Sequence, residues 1–379
     1  MKLSTLLIKP TGPDCNLACD YCFYLDKEEL YSGRTRMDLS IAEEMISQVM
    51  GTGKPVTFSW QGGEPTLMGL DFFKEVIELQ KKHGTGGQQV SNTIQTNGTL
   101  LNKEWAEFFS RYNFLVGLSL DGPRDLHDNY RTYPNGKGSF KKVTKAAQLL
   151  KEEEVPFNIL AVLNRRTINQ PKRIINFFLQ QDYNYLQFIP AIEIIETDDG
   201  EKLAPFSPEP KKVGKFLDEI FKKWLKEFPP RFSVRYFESL VNVRAGRDPG
   251  SCKIDTNCGY YLVVEHNGDV YPCDFYVEKD RKLGNLKEEH LREIENKEKL
   301  KSFNEGKVDL TQECRDCDFL PYCYGGCQRY RGLPSRPEGK SYLCKAYRYF
   351  LLRNLEKIEE IASRVRRNNG SFRASKLIN

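Results

Sequence analysis

Apolar or β-branched runs recur along the first half of the chain at Ser4–Ile8, Val56–Trp60, Ser91–Gln95, Phe114–Leu120, Phe157–Leu163 and Tyr185–Ile189. Segments with helical spacing lie between them, near Ser40–Met50, Phe72–Lys82, Lys103–Tyr112, Phe140–Glu153 and Pro171–Gln180. Strands alternating with helices predict a parallel sheet with helices packed outside it. Six such units are too few for a closed eight-unit barrel, so the expected fold is α/β, a partial (β/α)6 barrel left open.

Polar motifs follow these strands. A cysteine cluster starting at Cys15 comes after the first, Gln61-Gly62-Gly63-Glu64-Pro65 after the second, Thr96-Asn97-Gly98 after the third and Asp121-Gly122-Pro123 after the fourth. In parallel α/β barrels the active site is built from the loops at the C-terminal ends of the strands. The chemistry is therefore expected there.

From Glu193 to Pro210 the chain turns acidic and Pro-containing, which reads as loop, and a helical stretch at Lys212–Glu227 leads to Pro229-Pro230. A boundary there divides the chain into 1–230, a cysteine-rich region 231–345, and a charged helix near Ala346–Val365 with a basic tail, 346–379.

Composition narrows the classes. Hydrophobic residues make up 39% and charged residues 29%, a soluble globular balance. No uncharged apolar run is long enough to span a bilayer, and the short apolar start is broken by Lys9-Pro10. A cytoplasmic protein is expected. The net charge of +5 matches the excess in the tail, where Arg364, Arg366, Arg367, Arg373 and Lys376 have no acidic neighbour. The balanced body argues against a nucleic-acid partner. Gly51-Thr52-Gly53-Lys54 falls short of a phosphate loop, because Gln48 and Pro55 stand where that motif needs glycine and a hydroxyl.

Eleven cysteines against four histidines point to metal or redox chemistry rather than to disulfides. Cys15, Cys19 and Cys22 form C-x3-C-x2-C with no histidine nearby. Three thiolates in one loop suit three irons of a cubane cluster and leave the fourth iron open. The remaining eight, Cys252, Cys258, Cys273, Cys314, Cys317, Cys323, Cys327 and Cys344, make two sets of four. Such sets fit either structural zinc or iron–sulfur clusters. Three four-iron clusters hold one iron more than the eleven cysteines can bind, so that reading uses every cysteine.

C-x3-C-x2-C with Tyr21 before its last cysteine, followed by the GGEP segment, resembles the radical S-adenosylmethionine enzymes. The later cysteines resemble the SPASM domain, which carries two auxiliary [4Fe-4S] clusters. Gln61–Leu67 (QGGEPTL), Gln95–Leu100 (QTNGTL) and Tyr271–Val277 (YPCDFYV) are similar to the anaerobic sulfatase-maturating enzymes.

That resemblance implies three [4Fe-4S] clusters, with Cys15, Cys19 and Cys22 on the reactive one and S-adenosyl-L-methionine bound to its open iron. It pairs Cys252, Cys258, Cys273 and Cys327 on a nearer auxiliary cluster and Cys314, Cys317, Cys323 and Cys344 on a farther one. Spacing alone groups Cys314, Cys317, Cys323 and Cys327. Tyr21, Gly63, Ser119, Arg131 and Ile192 are implied as contacts of the cofactor, the arginine suiting its carboxylate.

The implied reaction is abstraction of a Cβ hydrogen by a 5′-deoxyadenosyl radical from a cysteine or serine of an unfolded sulfatase, ending in Cα-formylglycine. The implied partners are a Cys/Ser-x-Pro/Ala-x-Arg polypeptide and an electron donor such as flavodoxin or ferredoxin. Asp274, directly after Cys273, is implied as the base that deprotonates the substrate; a turn aspartate bonding its own backbone is the plainer alternative. The competing activity is a SPASM-type peptide maturase forming thioether, carbon–carbon or epimerised products. Many such enzymes carry an extra N-terminal domain, for which the 14 residues before Cys15 leave no room.

Overall fold

A computed structural model of the chain describes residues 4–31, 35–226, 230–333 and 339–367. Pro229 of the expected boundary, and Arg373 and Lys376 of the basic tail, lie outside the described residues.

The strands in chain order are β1 Thr5–Lys9, β2 Val56–Trp60, β3 Val90–Thr96, β4 Leu115–Ser119, β5 Phe157–Leu163 and β6 Tyr185–Pro190. They continue as β7 Ile194–Thr197, β8 Gly200–Leu203, β9 Ser233–Val234, β10 Leu262–Glu265, β11 Asp269–Tyr271 and β12 Gly284–Asn285. The main helices are α1 Leu39–Met50, α2 Leu70–His83, α3 Lys103–Arg111, α4 Arg124–His127, α5 Phe140–Glu152, α6 Pro171–Gln180, α7 Pro210–Trp224 and α8 Arg235–Arg244. A last helix spans Cys344–Arg367.

The chain packs as two compact units that alternate along the sequence. The first comprises Met1–Ser119, Asp128–Phe157 and Gly259–Asn304; the second comprises Leu120–His127, Asn158–Cys258 and Glu305–Asn379. This cuts the chain differently from the sequence division at 230 and 345.

In the first unit the strand order is β12-β11-β10-β1-β2-β3-β4. β1 to β4 are parallel, and β10 joins β1 in parallel with Leu6 opposite Leu262 and Lys9 opposite Glu265. β11 and β12 follow antiparallel. The sheet is mixed and does not close. Four-residue β10 gives too short an apolar run to be legible among the cysteines.

The core of this unit stacks aromatic rings outward from the sheet. Trp60 lies 5.4 Å from Phe73, Phe73 lies 5.5 Å from Trp105, and Trp105 lies 5.4 Å from Phe109. All four are buried, and burying each contributes about 1.5–3 kcal/mol. They come from one strand and two helices because Phe72, Phe73, Val76 and Ile77 share one face of α2, as Trp105, Phe108 and Phe109 do on α3. Asn102 caps α3 by accepting the Trp105 N–H at 3.1 Å.

The second unit pairs β5, β6 and β9 in parallel. The segment expected as acidic loop instead forms a hairpin, β7 against β8. Its residues are mostly exposed and polar, so no apolar alternation announces it. The last helix packs on α7 and α8: Phe350 stacks on Phe237 at 5.6 Å, and Asn354 donates to Asp218 at 2.8 Å. A Cβ on Gly214 would sit 2.7 Å from the Ala346 carbonyl oxygen, so glycine permits the close approach of α7. Among the described residues no helix is long and apolar enough to cross a membrane.

Candidate active site

The loop after β1 is wound tightly. Gly12, at φ +51°, donates to the Lys9 carbonyl at 3.0 Å, and Asp14 donates to Thr11 at 3.0 Å. The Ala18 N–H reaches Thr132 at 2.8 Å and the Cys22 N–H reaches Cys19 at 2.9 Å. Cys19 is buried, while Cys15 and Cys22 are half-buried. Burial, followed by the nearby Glu64 carboxylate, pushes the Cys15 thiol up to about 12, against the pull of the Leu17 N–H. The Cys19 and Cys22 sulfurs add to the same effect, which places the three thiols within each other's field. Asn97 reaches in from the loop after β3, its amide 3.7 Å from the Cys15 sulfur and 2.9 Å from Asn16.

The Gly-Gly-Glu-Pro turn after β2 lies directly on this loop. Gly63 donates to Gly12 at 2.8 Å and Glu64 to Asp14 at 2.9 Å. A Cβ on Gly63 would stand 1.9 Å from the Asp14 carbonyl oxygen, so only glycine fits. The Glu64 carboxylate is completely buried and accepts from Thr66 N, Thr66 Oγ1, Thr96 Oγ1 and Asn97 N at 3.0, 2.5, 2.7 and 2.7 Å. Burial raises its pKa and these four donors pull it back; burial wins.

Of the residues implied as cofactor contacts, Tyr21, Gly63, Ser119 and Arg131 belong to the first unit. Ser119 ends β4, buried, and accepts from Gln95 at 3.0 Å. The buried Arg131 guanidinium lies 5.4 Å from the Tyr21 ring, and Tyr21 packs on Tyr130 at 5.6 Å. Ile192 belongs to the second unit, buried just beyond β6, where Ala191 donates to Leu163 at 2.9 Å.

Asp274 opens a one-turn 3₁₀ helix after Cys273 and is half-buried. Its Oδ1 accepts from the Tyr261 hydroxyl at 2.7 Å, and Gln61 Nε2 donates to Oδ2 at 3.4 Å. The Cys273 sulfur is 3.5 Å away. Gln61 follows β2 and Tyr261 precedes β10, so both side chains reach Asp274 from outside its own turn. Phe23, beside Cys22, packs against Phe275 at 4.7 Å, linking the two cysteine segments.

Sequence reasoning missed Tyr261 and Lys9. Lys9 is 1% exposed at the end of β1, with its ammonium 4.2 Å from the Tyr24 ring. Burial drives its pKa down, and the negative groups Asp274, Glu265, Cys22 and Cys273 oppose this. A lysine closing an otherwise apolar buried strand was the available signal.

In the second unit the cysteines fall into two groups. Cys314, Cys317, Cys323 and Cys344 line one cavity together with Phe319 and Tyr347. Burial lifts the Cys323 thiol to about 11, with Cys344, Cys317 and Cys314 adding to it. Burial likewise lifts Cys258 to about 11; Lys307 opposes this, and Cys252 and Cys327 reinforce it. Gln328, the neighbour of Cys327 in sequence, donates its amide to the Cys258 sulfur at 3.4 Å, which ties that segment to Cys258. Arg331 fastens this region by donating to the carbonyls of Gly325, Gly306, Asp309, Lys307 and Tyr324 at 2.9–3.3 Å.

These donors fit iron–sulfur clusters. Four of the eleven cysteines line one cavity in the second unit, and cysteine thiolates are the usual ligands of such clusters.

The radical SAM superfamily model matches residues 10–178, and the iron–sulfur cluster-binding SPASM model matches residues 252–318. The chain is 39% identical to the cysteine-type anaerobic sulfatase-maturating enzyme of Clostridium novyi (strain NT), covering 96% of this chain and 98% of that one. It is 40% identical to the serine-type enzyme of Bacteroides thetaiotaomicron, covering 91% and 88%. The solved structure of native anSMEcpe with bound AdoMet and a Cp18Cys peptide superposes with a TM-score of 0.87 at 36% identity, covering 95% and 99%.

Proposed function

The chain belongs to the radical SAM, SPASM-containing family of anaerobic sulfatase-maturating enzymes, and we propose the following division of labour among its residues. The reaction is the oxidation of a cysteine or serine in a sulfatase polypeptide to Cα-formylglycine. When bound, S-adenosylmethionine and three [4Fe-4S] clusters supply the hydrogen-abstracting radical and the electron exchange.

Cys15, Cys19 and Cys22 hold the reactive cluster. Cys252, Cys258, Cys273 and Cys327 hold the nearer auxiliary cluster, and Cys314, Cys317, Cys323 and Cys344 the farther one. The grouping of thiols within the second unit supports this pairing. Gly63 presents backbone polar groups to the methionyl amine, Ser119 and Arg131 meet the ribose and carboxylate, and Tyr21 and Ile192 flank the adenine. Arg131 suits its role because a guanidinium binds carboxylate through paired donors.

Asp274 accepts the proton of the substrate thiol or hydroxyl as Cβ is oxidised. One observation carries this assignment: its carboxylate stands beside Cys273 and is held by Tyr261 and Gln61. The test is Asp274→Asn, assayed for deoxyadenosine and formylglycine on the same sample. Asparagine keeps the shape but accepts no proton at neutral pH, so deoxyadenosine should persist while product falls about a hundredfold or more. Wild-type yields of both would overturn the assignment.

The substrate segment is Cys/Ser-x-Pro/Ala-x-Arg, and the electron donor is a flavodoxin or ferredoxin. A reducing cytoplasmic setting suits cysteines that serve as metal ligands rather than as disulfides. The stretches 1–230, 231–345 and 346–379 are proposed as the radical module, the auxiliary-cluster module and the closing helix with its basic tail.

A further inference from the structure

The hydroxyl of Tyr261 stands between two groups of the site, 2.7 Å from Asp274 Oδ1 and 3.6 Å from the Cys273 sulfur. Its position follows from strand register. β10 and β11 pair antiparallel with Val263 opposite Tyr271 and Val264 opposite Val270. Continuing that ladder by one pair outward on the same face sets Tyr261 opposite Cys273, so the ring reaches the residue that follows. Gly268, at φ +90°, makes the turn that fixes this register.

The two oxygens of Asp274 are held unequally. Oδ1 takes the short bond from the Tyr261 hydroxyl, whereas Oδ2 has the Gln61 amide at 3.4 Å. A bond of 2.7 Å to a carboxylate is strong and directional, so Tyr261 sets the carboxylate plane and Gln61 is the weaker constraint. A group that receives a proton from a bound peptide must be held in one orientation, and small misplacements are costly. Tyr261 is itself half-buried and springs from the last residue before β10, a rigid anchor.

We infer that Tyr261 is the positioning residue for Asp274: its single O–H fixes one carboxylate oxygen so that the other faces the substrate. The inference rests on Asp274 acting as the base.

The experiment is a double-mutant cycle on the cluster-loaded enzyme with Tyr261→Phe, Asp274→Asn and the pair. Each variant is read for product kcat, peptide KM, deoxyadenosine release, iron per chain and the electron paramagnetic resonance spectrum of the reduced clusters. Phenylalanine keeps the ring and its packing. Tyr261→Phe should lower product kcat about tenfold, the scale of one bond to a charged group. KM, deoxyadenosine release, iron content and the cluster spectrum should stay at wild-type values. In the Asp274→Asn background the same change should cost nothing further, because the two residues then act as one unit.

Wild-type kcat in Tyr261→Phe would overturn the inference, as would a loss that multiplies with that of Asp274→Asn. Loss of iron or an altered spectrum would overturn it too, making Tyr261 part of the cluster scaffold. Full product from Asp274→Asn alone would instead strike the base assignment, and the cycle separates the two failures.

Discussion

The Glu64 carboxyl group accepts the backbone N–H of Asn97 at 2.7 Å, so the turn after β2 and the loop after β3 share one buried side chain. Asn97 in turn reaches toward the Cys15 sulfur. Three loops that carry the candidate chemistry are thus joined through two side chains, Glu64 and Asn97.

This bond has a signature in pH. Burial raises the Glu64 pKa above its ordinary 4.5 in spite of its donors. The folded chain then holds a proton that the unfolded chain has released. Its contribution to stability is present below pH 4.5 and is lost as pH rises through the raised value. Glu64→Gln should remove that slope and lower stability by about 1–3 kcal/mol, because its amide nitrogen meets donors. Urea denaturation at a series of pH values checks both.

Gly63→Ala should be severe. The added methyl would meet the Asp14 carbonyl oxygen at 1.9 Å and the Pro13 oxygen at 2.7 Å, both backbone atoms. Accommodating it should cost about 1–3 kcal/mol or more and displace the cysteine loop. Equilibrium binding of S-adenosylmethionine should be lost, while iron in the auxiliary sites remains. Unaltered binding would show that the turn does not shape the site.

Iron should number about twelve per chain after anaerobic preparation, as three four-iron clusters require. Alanine at Cys15, Cys19 and Cys22 together should remove about a third of it and all cofactor cleavage. Zinc in place of iron would contradict the three-cluster assignment.

Cys327→Ala should perturb the same spectroscopic signal as Cys258→Ala, and Cys344→Ala the same signal as Cys323→Ala. Gln328, next to Cys327, donates to the Cys258 sulfur at 3.4 Å, and Cys344 and Cys323 line one cavity. If Cys327→Ala instead matched Cys323→Ala, grouping by sequence spacing would be correct.

A peptide containing Cys-x-Pro-x-Arg should be converted to formylglycine with release of deoxyadenosine, as mass spectrometry would read. A thioether or epimerised product would favour a peptide maturase.

Much of the frame was legible because the strands bury alternate positions and fill them with apolar residues, as Val56, Phe58 and Trp60 do in β2. Val56–Trp60, Phe157–Leu163 and Pro171–Gln180 coincide with β2, β5 and α6. The hairpin β7–β8 was not legible, since residues such as Glu196, Thr197 and Glu201 are exposed and show no alternation. The cysteines announced themselves by type and spacing. The pairing proposed for Cys327 does not follow from spacing, because it depends on how distant loops fold back. Lys9 and Tyr261 were missed for the same reason: each owes its place to pairing with a strand more than 200 residues away or across a hairpin turn.

Cys344 is the first residue of the closing helix, whose Phe350 and Asn354 complete the core of the second unit. The cluster proposed for Cys314, Cys317, Cys323 and Cys344 would therefore be a cross-link. It would close the chain from Cys314 to Cys344 and remove that loop's freedom from the unfolded ensemble. Oxygen that destroyed it would also unclip the helix, so oxidative damage at the metal should register as a cooperative loss of fold rather than as silent inactivation.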